Sequence, residues 1–277
     1  MGQNRFERDT AVATVDEGRY RGRVDAGWAV IAGAAPNGGY LLAMAARAMR
    51  DPVPHPDPVT ITAHFLAPPQ PGEIDIEVEV VRTGRRHSTV QGRMVQDGRE
   101  TLRAIATFGD LDSAAGPTRV DRARPPLPRF EDCIDATTAG VEEARAGGFQ
   151  APPVLERFDH RMTPEMMRWS RGEPLGRGEM GGWLRWADDD GPVDTLGVLV
   201  VTDCYPPAVF NSGVGNLGWV PTIELTVQVR KRPAPGYLGA WLTTQAITGG
   251  YLEEDGEVWD STGDLVALSR QLALASR

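Results

Sequence analysis

The sequence predicts an α+β protein of two tandem units, each an antiparallel sheet wrapped round one buried helix. Three observations predict it. A strand-and-turn pattern occurs twice at a fixed spacing. Three strand-like runs joined by short turns come after each occurrence. A helix-forming stretch, apolar on nearly every side, precedes the first.

The repeated pattern covers residues 59–72 and 223–236. In both, apolar and polar residues alternate, which is the period of a half-buried strand, and a Pro-x-Pro-Gly turn then stops the run. Thr62 and Thr226, Pro69 and Pro233, Pro71 and Pro235, and Gly72 and Gly236 are all separated by the same 164 positions. After Gly72 come runs at 74–82, 88–95 and 101–108, with Asp97-Gly98 as the hairpin signal between the last two. After Gly236 come runs at 238–248, 250–259 and 265–274, the last pair turned by Ser261-Thr262-Gly263. Consecutive strands on short turns form an antiparallel meander.

Residues 38–50 are rich in Leu, Ala and Met and form a helix, with Asn37 as N-cap and Asp51-Pro52 as the stop. Being apolar nearly all round, this helix is expected to be buried. Its expected counterpart is 194–205, capped by Asp194 and ended by Pro206-Pro207. The run Val198–Val201 would alone suggest a strand, but the repeat argues for a helix. Prolines 117, 125, 126, 128, 152 and 153 mark a linker with one short helix at 131–139. The expected organisation is an N-terminal unit 1–110, a linker 111–157 and a C-terminal unit 158–277 that carries the site. One helix wrapped by such a sheet is the hot-dog arrangement, and two in one chain make a double hot dog.

Composition excludes several function classes. Of the 277 residues, 41% are apolar and 24% charged, the balance of a globular protein, and no apolar run reaches the ~20 residues of a membrane-spanning helix. A net charge of −9 disfavours broad nucleic-acid or anionic-membrane binding, which needs a basic surface. Residues 1–20 are polar and charged, unlike a signal peptide, and two cysteines, Cys133 and Cys204, suit a reducing cytoplasm. His55, His64, His87 and His160 show no ligand spacing, so no metal is expected. The segment Gly176-Arg177-Gly178-Glu179-Met180-Gly181 spells a dinucleotide fingerprint, but a strand rather than a helix comes after it. Exposed meander edges predict a homo-oligomer.

The motifs in their order resemble the TesB-like acyl-CoA thioesterase family, also called acyl-CoA thioesterase II, over essentially the whole chain. The resemblance rests on Pro36-Asn37-Gly38-Gly39-Tyr40, on His64-Phe65-Leu66 leading into Pro69-Gln70-Pro71-Gly72, on Thr202-Asp203, on Pro221-Thr222-Ile223-Glu224 and on residues 265–271 ending in Gln271. It implies hydrolysis of acyl-coenzyme A with no cofactor beyond the coenzyme A of the substrate. It also implies a catalytic Asp, a hydroxyl and a Gln from the second unit, which map to Asp203, Thr222 and Gln271.

The chemistry is consistent with those residue types. Thioester hydrolysis needs a water aimed at the carbonyl carbon and donors aimed at the oxyanion. An Asp can take the water's proton, while a Thr hydroxyl and a Gln amide hold it in place. No Gly-x-Ser-x-Gly elbow is present, since Phe210 lies two residues before Ser212. Backbone N–H groups at Asn37, Gly38 and Gly39, where the first helix starts, are candidate oxyanion donors. Arg230 and Lys231 are candidate partners of the coenzyme A phosphates, although charges beside turns are usually just solvated. The repeat offset places Pro58 opposite Thr222 and Thr107 opposite Gln271, so the polar trio belongs to the second unit alone. By alternation Thr222 shares the polar face of Glu224, Thr226 and Gln228, unless the chain bends after Pro221. Two other readings stay open: a hot-dog hydratase or dehydratase, which pairs an Asp with a His, and a non-catalytic acyl-CoA binder.

Overall fold

The computed structural model describes residues 4–31, 35–146, 152–188, 191–215 and 217–275; the end of the expected linker, 147–151, lies outside them. The first half contains α1 (Arg5–Asp9), β1 (Ala13–Asp16), β2 (Arg19–Val24), β3 (Ala29–Ile31), β4 (Ala35–Pro36), α2 (Gly38–Arg50), β5 (Asp57–Phe65), β6 (Gly72–Thr83), β7 (Ser88–Gln96) and β8 (Arg99–Gly109). The connecting segment holds β9 (Ile134–Asp135) and α3 (Ala136–Ala146). The second half contains β10 (Phe158–Met162), β11 (Gly178–Trp186), α4 (Gly197–Val201), β12 (Thr222–Val229), β13 (Leu238–Thr244), β14 (Ile247–Thr248), β15 (Tyr251–Trp259) and β16 (Leu265–Leu274).

One antiparallel sheet runs in the order β1-β2-β6-β7-β8-β5-β12-β16-β15-β13-β11-β10-β9, with β14 attached to β15. The repeated strands β5 and β12 pair at its centre and join the halves. Thr62 faces Thr226 there, and their hydroxyls are 2.8 Å apart. Residues one repeat apart can touch only on the axis relating the copies, so the pseudo-twofold axis passes through this pair. Both Pro-x-Pro-Gly turns end on a left-handed glycine, Gly72 at φ 144° and Gly236 at φ 110°. Asp97 and Gly98 both have positive φ, as the predicted two-residue hairpin requires.

Helix α2 forms as predicted. The Asn37 side chain accepts the Tyr40 N–H at 2.8 Å, and Gly39–Ala46, Ala48 and Met49 are buried. The second helix departs from expectation. Asp194 does cap it, accepting the Gly197 N–H at 2.6 Å, but regular helix covers only Gly197–Val201. The repeat offset puts the true counterpart of α2 at 202–214, where Pro206 and Pro207 supply no N–H and clash with a helical turn. The chain turns at Asp203 and resumes as a 3-10 turn, Ala208–Asn211, whose Asn211 side chain donates to the Glu179 carbonyl of β11.

Two smaller expectations also shift. The linker helix starts later than expected, because the Asp135 carboxylate accepts the N–H groups of Thr137 and Thr138 and so fixes the first turn of α3. The run 238–248 breaks into β13 and β14, because the N–H groups of Gln245 and Ala246 turn to the Glu253 carboxylate.

The halves share a core. Trp28 stacks on Tyr40 at 4.8 Å and meets Phe158 and Trp186 of the second half edge-on at 6.0 and 6.1 Å. Asp57, at the start of β5, is buried and accepts from Thr195 Oγ1, the Leu111 N–H and Arg232 Nη2 at 2.9–3.0 Å. Arg232, next to the candidate phosphate partners Arg230 and Lys231, therefore ties the second half to the first. Among the described residues, no helix is long and apolar enough to cross a membrane.

Candidate active site

A cavity of about 1000 Å³ opens between the halves. Val30, Pro36, Asn37, Gly38, Leu41, Phe65 and Leu66 line it from the first half. Trp169, Asp203, Tyr205, Phe210, Trp219, Val220, Thr222, Leu252, Glu254, Gln271 and Ala273 line it from the second. The wall is mostly apolar, with a few convergent polar groups, which is the usual make-up of a small-molecule site. All three predicted catalytic residues reach it.

Asp203 sits in the turn that ends α4, directly before the N-terminus of α2. Its Oδ2 accepts the Gly39 N–H at 2.8 Å and lies 3.2 Å from Asn37 Nδ2, which also donates to the Asp203 carbonyl at 2.7 Å. Burial pushes the Asp203 carboxyl up to about 6, against the N–H groups of Gly39 and Gly38, which favour the ionised form. The positive end of α2 thus steadies a carboxylate. Two of the three expected oxyanion donors therefore have other partners: the Gly39 N–H is bonded to Asp203 and the Asn37 N–H to the Trp28 carbonyl at 2.8 Å, while Asn37 and Gly38 line the cavity and Gly39 does not. Gly39 must be small there, since a Cβ would fall 2.6 Å from the Leu199 carbonyl oxygen.

Thr222 reaches the site through a β-bulge. The register between β12 and β16 slips between Thr222 and Glu224, so strict alternation ends at the strand's first residues. Thr222 therefore leaves the polar face of Glu224 and Thr226, and its hydroxyl donates to Gln271 Oε1 at 2.6 Å. Gln271 Nε2 donates in turn to Glu254 Oε1 at 2.6 Å, and Glu254 Oε2 accepts the Ala208 N–H at 2.5 Å. Glu254 is only 3% exposed. Burial pushes it up to about 7, opposed by the Ala208 and Gln271 donors and reinforced by the Asp203 charge.

Glu254 is the site residue that the sequence reading missed, and the repeat contained its signal. A bulge at Pro58/Thr60 in β5 matches the one at Thr222/Glu224 in β12, which confirms the offset on that strand. Ile61 faces Ala106 where Leu225, one repeat on, faces Gln271. The counterpart of Gln271 is therefore Ala106 rather than Thr107, a one-residue correction. Ala106 pairs with Val90, as Gln271 pairs with Glu254, and Val90 lies 164 positions before Glu254. Gly39, Pro58, Val90 and Ala106 thus occupy, in the first half, the places of Asp203, Thr222, Glu254 and Gln271.

Arg230 and Lys231 are not brought to the cavity. Lys231 is paired with Asp260 at 2.9 Å and with Asp264, and Arg230 bonds to Gln228 at the exposed strand end. No described cavity residue is a histidine. His55 bonds to Ser88, and His160 is buried against the Tyr205 ring. The described residues contain no cluster fit for a metal ion.

Comparison with known proteins matches two domains in this chain. Residues 24–109 match the family model of the acyl-CoA thioesterase N-terminal domain, and residues 130–275 match that of the C-terminal domain. A Thermobifida fusca structure classed as a thioesterase II aligns over 100% of this chain and 99% of its own, with 30% identity and a TM-score of 0.86. A hot-dog-fold protein from Alicyclobacillus acidocaldarius aligns over 100% and 99%, at 23% identity and TM-score 0.80. An acyl-CoA thioesterase II, TesB2, from Mycobacterium marinum aligns over 98% of both chains, at 18% identity and TM-score 0.71. Duplicated sheet, cavity and family match agree: this chain is a double hot dog, and it belongs to the acyl-CoA thioesterase family as a TesB-like acyl-CoA thioester hydrolase.

Proposed function

We propose that Asp203, Thr222 and Gln271 hold the water that hydrolyses an acyl-CoA thioester in the cavity between the halves. The observation that carries this reading is their convergence on one apolar cavity, while the equivalent positions of the first half are Gly39, Pro58 and Ala106. Ionised Asp203 accepts a proton from the water as its oxygen bonds to the thioester carbon. The Thr222 hydroxyl, with its own hydrogen committed to Gln271, offers a lone pair to the water's other hydrogen. The C–S bond then breaks, and coenzyme A leaves as a thiolate that takes up the proton from Asp203. The acid and the thiol are the products.

The size and lining of the cavity support a bulky or extended apolar acyl group rather than a two-carbon one. The absence of a histidine from the described lining speaks against the hydratase reading. A pure binder would gain nothing from burying two carboxylates, which cost stability unless chemistry needs them. A cytoplasmic location and a homo-oligomer complete the proposal, supported by the charge and cysteine pattern and by the open edges β1 and β9.

Thiol release from short, medium, long and aromatic acyl-CoAs tests the reading. Asp203→Asn should lower kcat by about 100-fold or more on the preferred substrate. A variant at the wild-type rate would sink the assignment.

A further inference from the structure

The hydrogen bonds around Gln271 have a direction, and Glu254 sets it. An ionised carboxylate accepts at both oxygens, and those of Glu254 accept from Ala208 N at 2.5 Å and from the Gln271 amide at 2.6 Å. Because the group facing Gln271 is an acceptor, Gln271 must present its NH2 there and its carbonyl to Thr222. Thr222 must then donate, at 2.6 Å, and only its lone pairs face the cavity.

We propose that Glu254 is a positioning residue, whose carboxylate fixes the orientation of the Gln271 amide and thereby makes the Thr222 hydroxyl an acceptor toward the attacking water. The proposal rests on the Asp203, Thr222 and Gln271 reading above. It goes beyond it by adding a fourth group, from β15, and by stating what that group does. The first half shows what the pair replaces. Val90 and Ala106 are buried there with no polar group to orient, so the fold does not need a carboxylate at this sheet position.

Glu254→Gln, an isosteric change, should reverse the chain of donors. The new side-chain carbonyl is needed by the Ala208 N–H, so the new NH2 must face Gln271. Gln271 then turns its carbonyl to position 254 and its NH2 to Thr222. The Thr222 hydrogen is released into the cavity, and the residue becomes a donor where an acceptor is needed. The double exchange Glu254→Gln with Gln271→Glu restores the direction. The amide at 254 still accepts from Ala208 and donates to the carboxylate at 271, whose other oxygen accepts from Thr222.

Wild type, Glu254→Gln, the double exchange and Asp203→Asn are compared at pH 8 on the best acyl-CoA of the panel, with thermal unfolding as the folding control. Glu254→Gln is expected to lose about 10–100-fold in kcat with KM within about threefold, the pattern of an interaction made in the transition state. The double exchange is expected to regain about fivefold or more over the single variant. A folded Glu254→Gln with wild-type kcat overturns the proposal, and so does a double exchange no better than the single. If Glu254→Gln does not fold, the double exchange decides alone: activity within about tenfold of wild type supports the proposal, while an inactive or unfolded protein overturns it. Asp203→Asn separates this from the parent reading. If it is inactive while Glu254→Gln is unchanged, only the Glu254 role falls; if it is fully active, the trio falls.

Discussion

The Asp203 carboxylate accepts the backbone N–H of Gly39 at 2.8 Å, and these two residues are one repeat apart, 164 positions. Thr62 and Thr226 touch across the same interval. The site therefore lies beside the axis that relates the copies. In one copy the position is a carboxylate. In the other it is a glycine that lets the helix N-terminus approach that carboxylate.

Gly39→Ala should remove this approach. The added methyl would sit 2.6 Å from the Leu199 carbonyl and 2.8 Å from Val200 Cα, both backbone atoms that cannot swing aside. A loss of about 1–3 kcal/mol of stability is expected, the usual cost of overpacking, together with lower kcat as Asp203 loses its donor. Urea unfolding and thiol-release assays check both. A variant with wild-type values in each would mean that the helices can separate without consequence.

Stability should fall as pH rises through the acid range. Both Asp203, raised from 3.8 to about 6, and Glu254, raised from 4.5 to about 7, hold protons in the folded state that the unfolded chain has released. Where the folded state binds more protons, stability falls with rising pH. The window runs from about pH 4 to about pH 7. Asp203→Asn and Glu254→Gln should each flatten the slope, and each should raise the unfolding free energy at pH 8 above that of wild type by roughly 1–3 kcal/mol, a gain that is absent at pH 4. Unfolding measured at pH 4, 6 and 8 tests the sign.

Activity should show the opposite trend. The general base works ionised, so kcat should climb as pH passes about 6, where Asp203 gives up its proton. A profile flat between pH 5 and 7 would remove Asp203 from the base role.

Asp57→Ala should unfold the junction between the halves. The carboxylate is buried at 1% exposure and accepts from Thr195, Leu111 and Arg232, and leaving a buried donor without its acceptor costs about 1–3 kcal/mol. Asp57 does not line the cavity, so KM, measured on whatever folded fraction remains, should change little.

Lys231→Ala should leave KM for acyl-CoA within about twofold, because its ammonium is already held by Asp260 and Asp264 away from the cavity. A tenfold rise would show that the charge leaves those partners to meet a phosphate.

Much of this was legible in the chain. The repeat interval marked out the two units, because strand alternation and a Pro-x-Pro-Gly turn are local patterns that do not depend on partners. The 38–50 helix and its Asn37 cap were readable for the same reason. The family motifs named Asp203, Thr222 and Gln271. The second helix was not readable, since Val198–Val201, a β-branched run, becomes helical only against its neighbours, and Pro206-Pro207 break the helix that the repeat leads one to expect at 202–214.

Only the tertiary structure decided the relations across strands. A β-bulge between Thr222 and Glu224 turns Thr222 inward, against its own alternation. Register, not residue counting, matches Gln271 with Ala106 and brings Glu254 beside it. A carboxylate in a strand reads as solvent-facing, because burying one is costly; only pairing with Gln271 and the Ala208 N–H makes the burial possible. Sequence determines which groups are available along the chain. The direction of a hydrogen bond between strands depends on which groups the fold sets face to face.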